Sequence, residues 1–188
     1  MSEASKQTQV SKFRTVFNMM LSPGTAIKKA VSGVPFYFSM LVSGTAFGLF
    51  FLQTGLDMYR TGRQPLLFVI TAAIAGALFG ITAVPAISAI LWAVSKPFGC
   101  SKSLTWAIKA FCLSYSGALV YCVIGIIISV FFGWRTAVAF GVTGVMWAVG
   151  PMIATIKEMI GGKVLLCVML AALAGSSVLL CWSFLGKI

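Results

Sequence analysis

The strongest constraint on this chain is the length of its apolar runs. Five such runs occupy residues 34–56, 65–94, 105–132, 137–156 and 164–185. A helix of about 20 mostly apolar residues crosses the hydrocarbon core of a bilayer. Only 9% of the 188 residues are charged, whereas soluble domains carry about a quarter. The pattern excludes a soluble globular domain and predicts an all-α, polytopic membrane protein with five transmembrane helices in residues 32–188.

The segment before the first run, residues 1–31, has a pattern typical of a helix in the headgroup layer. Residues 10–21 alternate with helical periodicity between an apolar face with two phenylalanines and a polar face that includes Thr15 and two basic residues. This stretch is too short and too polar to span, so we expect an interfacial amphipathic helix. Packing on the protein's own cytoplasmic face is an equal alternative. The expected contacts with lipid or a partner are Lys12, Phe13, Arg14, Phe17, Lys28 and Lys29.

The distribution of the 14 basic residues predicts the orientation of the chain. Ten of them fall in the N-terminal segment or near the loops that join spans two to three and four to five, and four fall on the other side. Positive charge marks the cytoplasmic side of a membrane protein. We therefore expect a cytoplasmic N-terminus, a C-terminus on the opposite side, and contact between the basic face and anionic lipid.

Small residues at a four-residue spacing indicate where helices approach closely. Gly44 and Gly48 form a G-x-x-x-G step in the first span, and Gly76 and Gly80 form another in the second. Such faces let helix backbones pack against each other in lipid. Packing within one bundle is favoured, and a homo-oligomer face is the alternative.

Polar groups within or at the end of the spans define a candidate furrow. Pro85 and Pro151 are expected to kink spans two and four and to free backbone carbonyls. Hydroxyl groups of the third span can satisfy such carbonyls, and the alternative is a polar furrow for a lipid headgroup or small solute. The candidate furrow residues are Ser114, Tyr115, Ser116, Tyr121 and Glu158.

The titratable side chains argue against an enzyme. The chain has no histidine, and its three acids, Glu3, Asp57 and Glu158, are far apart in sequence. We therefore expect no catalytic site, cofactor or metal, and we interpret Asp57 and Arg60 as a helix-spaced surface pair of little energetic weight. The five cysteines are interpreted as packing residues, except that Cys100 stands at a basic membrane edge where reversible palmitoylation is chemically plausible.

The order of short elements along the chain resembles a known family. The elements are Leu21-Ser22-Pro23, Lys96-x-x-Gly99-x-x-x-Ser103, Ala110-Phe111-x-x-Ser114-Tyr115-Ser116, Trp147 and Gly161-Gly162-Lys163. From Phe13 to Leu185 the chain resembles the Yip family, specifically its short prokaryotic members. The resemblance implies a five-helix protein of a prokaryotic cell membrane with a cytoplasmic N-terminus. Gly117 stands near a position where the family often has proline, and the acidic N-terminal domain of eukaryotic members is not found. Rab GTPase binding is therefore not expected.

Two functional hypotheses follow from these features. The first is a non-enzymatic membrane scaffold that organises lipid or a partner, either a membrane protein or a second copy, at the cytoplasmic face. The second is a lipid-translocating or small-solute permeation protein that uses the polar furrow between kinked helices. Nothing in the sequence indicates binding to nucleic acid.

Overall fold

The computed structural model describes residues 12–29, 31–134 and 136–185, except for the side chains of residues 12 and 185. All regular elements among these residues are helical, and five stretches are long and apolar enough to cross a membrane. The prediction of an all-α, polytopic membrane protein is confirmed.

Three of the five spans are single helices, and two are pairs of helices in series. The single helices are α3 (Phe36–Arg60), α4 (Leu66–Ser95) and α9 (Val164–Leu185). The third span consists of α5 (Leu104–Ser114) and α6 (Ser116–Phe131), and the fourth of α7 (Val138–Trp147) and α8 (Val149–Ile160). Two short helices, α1 (Lys12–Leu21) and α2 (Pro23–Lys29), and a 3₁₀ turn (Val31–Gly33) precede the spans.

The break in the fourth span has a covalent cause. Pro151 is the third residue of α8, where a missing backbone N–H leaves no helical bond unmade. Its ring would clash with the carbonyl of Trp147, four residues earlier, if the helix were continuous. In contrast, α4 passes through Pro85 without interruption. The kink expected at Pro85 therefore does not divide the second span.

The break in the third span arises without a proline. Tyr115 separates α5 from α6 at φ −82° and ψ 10°. On either side, the Ser114 hydroxyl donates to the Ala110 carbonyl (2.9 Å), and the Ser116 hydroxyl donates to the Leu113 carbonyl (2.6 Å). Serine side chains that bond to carbonyls three or four residues back compete with the helical ladder and bend it.

The contact between α3 and α4 depends on the two glycine motifs. A Cβ added to Gly80 would lie 2.8 Å from the Cα of Gly44, and one added to Gly76 would lie 2.7 Å from the Cβ of Phe51. At this approach the Ser43 hydroxyl reaches across to the Gly80 carbonyl (2.9 Å). The two G-x-x-x-G faces are therefore used against each other within one chain.

Helix α3 lies at the centre of the bundle and contacts α4, α5, α6 and α7. Phe47 of α3 packs edge-on against Phe79 (5.1 Å) and Tyr115 (4.7 Å). Further along α3, the fully buried Gln53 donates a hydrogen bond from its side-chain amide to the Cys122 carbonyl (2.8 Å). A polar hydrogen bond thus fixes α3 against α6 inside an otherwise apolar core.

We expect Gly76→Ala to destabilise the protein by about 1–3 kcal/mol, because the added methyl group overlaps the backbone and Cβ of α3. Thermal unfolding in mild detergent measures the effect. Gly24→Ala is the control, since a Cβ there meets no atom within 4 Å and the position lies within helix α2, and it should leave stability unchanged or slightly raised. Equal unfolding temperatures for the two variants would contradict the proposed role of the α3–α4 contact.

Candidate functional site

Charged side chains gather at the two ends of the bundle. One end, called here the Lys102 end, combines the last turn of α4, the first turn of α5 and the last turn of α8. The other, called the Asp57 end, combines the last turns of α3 and α6 with the first turn of α7. The N-terminal helices α1 and α2 pack on α5, α6 and α8.

Helix α1 is anchored to the bundle along one face. Thr15, Val16 and Met19 are buried on this face. The indole of Trp147, at the junction of α7 and α8, donates a hydrogen bond to the Met20 carbonyl (3.3 Å). The sequence pattern places Thr15 on the polar face of α1, but this residue lies on the buried side. Packing against α5 and α6 buries a different face from the one that the hydropathy pattern predicts.

The opposite face of α1 is apolar and exposed. Phe13 is 77% exposed, Phe17 is 52% exposed and Leu21 is 71% exposed, and Arg14 is exposed beside them. The helix thus packs on the protein, whereas contact of its outward face with the headgroup layer stays a prediction. It packs on the protein through one face and presents phenylalanines outward on another.

Helix α2 continues this arrangement with its two lysines. Ala26 and Ile27 are buried, and the side chains of Lys28 and Lys29 are exposed at the last turn. The side chain of Lys12, which the sequence pattern grouped with these lysines, lies outside the described residues. An isolated helix of seven residues is not stable in water, so contacts with α1 and α8 stabilise α2.

Lys109 joins the N-terminal segment to the bundle. Its ammonium group donates to the carbonyl oxygens of Ser32 (3.0 Å) and Val34 (2.8 Å). These carbonyls belong to the turn that connects α2 to α3, where helical partners are missing. This lysine of α5 therefore positions the chain between α2 and the first span.

Glu158 is accounted for by an ion pair. Its carboxylate Oε1 lies 3.0 Å from the Lys102 ammonium, and the two side chains are 26% and 32% exposed. A partly exposed pair of this kind contributes at most about 1 kcal/mol. Local charge neutralisation at the Lys102 end therefore explains Glu158, although the partner is Lys102 and not a residue of its own loop.

The other candidate furrow residues do not form an open polar path. Ser114, Tyr115 and Ser116 are buried, and both serine hydroxyls are bonded to backbone carbonyls of the same span. Tyr121 is half-buried with its ring 6.0 Å from that of Trp147. The structure thus brings three of the five residues together, in a structural role at the α5–α6 break.

Cys100 is also less accessible than its position in sequence suggests. The side chain lies in the connection between α4 and α5 and is 6% exposed. Acyl transfer to a thiol requires access to the sulfur atom, which this packing does not provide.

An arrangement at the Asp57 end is not evident from the sequence. The Asp57 carboxylate, on α3, accepts hydrogen bonds from the backbone N–H groups of Ala137 (3.1 Å) and Val138 (2.8 Å). These amides open α7, whose own N-cap residue, Ala137, has no side-chain acceptor. Asp57 therefore caps a helix that begins 81 residues later, and its negative charge also favours that helix terminus.

Arg60, one turn further along α3, also binds the connection between α6 and α7. Its guanidinium donates to the Ser129 hydroxyl and to the Trp134 carbonyl (3.1 Å). The Ser129 hydroxyl donates to the same carbonyl (3.0 Å). Asp57 and Arg60 thus bind the connection between α6 and α7 separately and do not form the surface ion pair expected from their spacing. The sequence holds no signal for this arrangement, because Thr136 directly precedes the expected start of the span and would itself be a local N-cap.

Comparisons with known protein families, curated proteins and solved structures find no match to this chain. The resemblance to the Yip family therefore stays a prediction from the sequence. Within the described part of the chain, no three His, Cys, Asp or Glu side chains lie close enough together to hold a metal ion.

We expect Asp57→Ala to destabilise the protein by about 1–2 kcal/mol, because two amides at the start of α7 lose their acceptor. Hydrogen exchange at Ala137 and Val138 should accelerate more than exchange elsewhere. Asp57→Asn should destabilise the protein less than Asp57→Ala does, since an amide oxygen can still accept one of the two hydrogen bonds. Arg63→Gln, an exposed change at the same end, is the control and should shift stability by less than about 0.5 kcal/mol. Unchanged exchange at α7 in Asp57→Ala would contradict the capping role.

Proposed function

We propose that this protein is a non-enzymatic membrane scaffold that organises anionic lipid, or a partner protein, at its cytoplasmic face through α1 and α2. The observation that carries the proposal is the outward apolar face of α1. Phe13 and Phe17 are exposed on a helix whose other side is anchored by buried residues.

The anchoring of α1 to the bundle lowers the free-energy cost of binding a ligand. An isolated amphipathic helix must fold as it binds, whereas α1 is already held by its contacts with α2, α5 and α6. Burying a phenylalanine side chain in the headgroup layer contributes about 1.5–3 kcal/mol. The helix is therefore a preformed apolar surface of two aromatic side chains.

Charge supports lipid as one ligand of this surface. Arg14, Lys28 and Lys29 are exposed on α1 and α2. Each basic residue near an anionic membrane surface contributes about 1 kcal/mol of attraction. Together the apolar and basic groups favour a membrane containing anionic lipid over a neutral one.

The second hypothesis, lipid translocation or solute permeation, has less support. Ser114, Tyr115 and Ser116 are buried at the break in the third span, and Glu158 pairs with Lys102. A permeation path needs polar groups that face a shared open space, and these groups are used within the protein.

The proposal includes an orientation and a family relationship. The N-terminus is cytoplasmic, the C-terminus is on the opposite side, and the membrane is that of a prokaryotic cell, as the Yip-like order of sequence elements implies. Support for the orientation comes from Lys96, Lys102, Lys157 and Lys163, which flank the Lys102 end.

The lipid contact is tested by hydrogen exchange on the full-length protein in lipid nanodiscs. Amides of α1 and α2 should be more protected when part of the phosphatidylcholine is replaced by phosphatidylglycerol. The triple change Arg14→Gln, Lys28→Gln and Lys29→Gln should abolish this dependence, because the attraction is electrostatic. Lys157→Gln, an exposed change on α8, is the control and should retain it. Equal exchange in both lipids for the wild type would contradict the proposal of anionic lipid contact.

The orientation is tested by labelling intact cells with a membrane-impermeant maleimide. Thr61→Cys, at the Asp57 end, should be labelled above the wild-type background before lysis, and Lys28→Cys should be labelled only after lysis. Both positions are exposed, so accessibility within the protein is matched. The reverse pattern would overturn the orientation.

A further inference from the structure

We propose that the Asp57 end holds a binding site for one anionic phospholipid, with the phosphate at Arg63 and an acyl chain in a groove between α3, α4 and α9. This site is separate from α1 and α2 and does not depend on the function proposed for them. It rests on two adjoining recesses, one polar and one apolar, that share a wall.

The polar recess has a volume of about 290 Å³ and lies between the ends of α3, α7 and α9. Its walls include Asp57, Thr61, Arg63 and Thr136. The Asp57 carboxylate is occupied by the amides of α7. The Arg63 guanidinium is exposed and donates no hydrogen bond to the described part of the protein, so its five N–H groups are available to a ligand.

The apolar recess adjoins the polar one. It has a volume of about 160 Å³ and is lined mainly by Phe51 of α3 and by Phe68, Ala72 and Ala75 of α4. From Phe68 to Ala75 it extends along α4 for about 10 Å at the helical rise. The lining threonines, Thr54 and Thr71, donate their hydroxyls to carbonyls of their own helices. Such a groove accommodates part of an extended hydrocarbon chain.

The two recesses share Thr54 and Trp182. The indole N–H of Trp182 donates to the Thr54 hydroxyl (2.9 Å), and its ring lies 5.3 Å from that of Phe50. The indole is therefore fixed in place at the boundary between polar and apolar walls. A ligand that follows both recesses passes one face of this ring and must itself be polar at one end and apolar at the other.

The charge at this end selects an anionic headgroup. Its described charged side chains are Asp57, Arg60 and Arg63. The helix terminus compensates Asp57, and Arg60 is bound to the α6–α7 connection. The formal charges of these three side chains sum to +1, and Arg63 is the arginine of the two whose guanidinium makes no hydrogen bond to the described part of the protein. A guanidinium binds phosphate oxygens through paired N–H groups.

The proposal is tested by native mass spectrometry of the detergent-purified protein titrated with phosphatidylglycerol or phosphatidylcholine. Every protein in this titration also carries Arg14→Gln, Lys28→Gln and Lys29→Gln, so that the basic residues of α1 and α2 no longer attract anionic lipid. We expect one phosphatidylglycerol to bind at least about tenfold more tightly than phosphatidylcholine, and Arg63→Gln to remove that preference. Ala75→Leu, which fills the apolar recess, should weaken the binding of both lipids. Ala86→Leu, at an exposed position of α4 outside the recess, is its control and should leave binding unchanged.

Inorganic phosphate distinguishes a headgroup site from a simple anion site. If phosphate alone binds as tightly as phosphatidylglycerol and Ala75→Leu has no effect, the lipid assignment is overturned. Binding of phosphatidylglycerol that survives both Arg63→Gln and Ala75→Leu would also overturn it. Because these proteins lack the basic residues of α1 and α2, the phosphatidylglycerol that they bind reports on the Asp57 end, and failure of the cytoplasmic-face proposal and failure of this one are distinguishable.

Discussion

The close contact between α3 and α4 is the interaction on which the rest of the fold depends. In lipid, helices gain nothing from hiding apolar surface from water, so they associate through dispersion and interhelical hydrogen bonds. Gly44 and Gly80 remove the side chains that would keep these helices apart, and Ser43 then bonds across the interface. With α4 held on one side, α3 presents its other faces to α5, α6 and α7. Phe47 and Gln53 fill the space between these helices.

Most charged groups with known partners connect segments that are distant along the chain. Lys109 holds the turn before α3, Lys102 pairs with Glu158, and Asp57 caps α7. Each acts at or next to a helix end, where backbone groups lack helical partners. Five described charged side chains therefore have structural roles, namely Asp57, Arg60, Lys102, Lys109 and Glu158. The lipid proposals rest on others, the exposed basic residues of α1 and α2 and Arg63.

The spans were predictable to within a few residues because the thickness of the hydrocarbon layer demands a minimum apolar length. The errors have a consistent cause. The first span continues to Arg60 and the fourth to Ile160, beyond their apolar runs, because charged residues do not end a helix. The ends instead precede Gly62 (φ 72°) and Gly161 (φ 69°), whose left-handed conformation suits glycine. The break at Tyr115 was missed because it comes from serine hydroxyls, and these can also point away from the helix.

The sequence by itself determined the class of protein, the number of spans, the glycine faces and the basic N-terminal segment, because each depends on composition or on local periodicity. Only the tertiary structure decided which side of α1 is buried, that Asp57 and Arg60 act on different partners, and that the furrow serines are enclosed. These outcomes depend on contacts between positions up to 127 residues apart, such as that of Trp147 with Met20. No local sequence pattern specifies such long-range contacts, since they depend on how the helices are rotated and packed against one another.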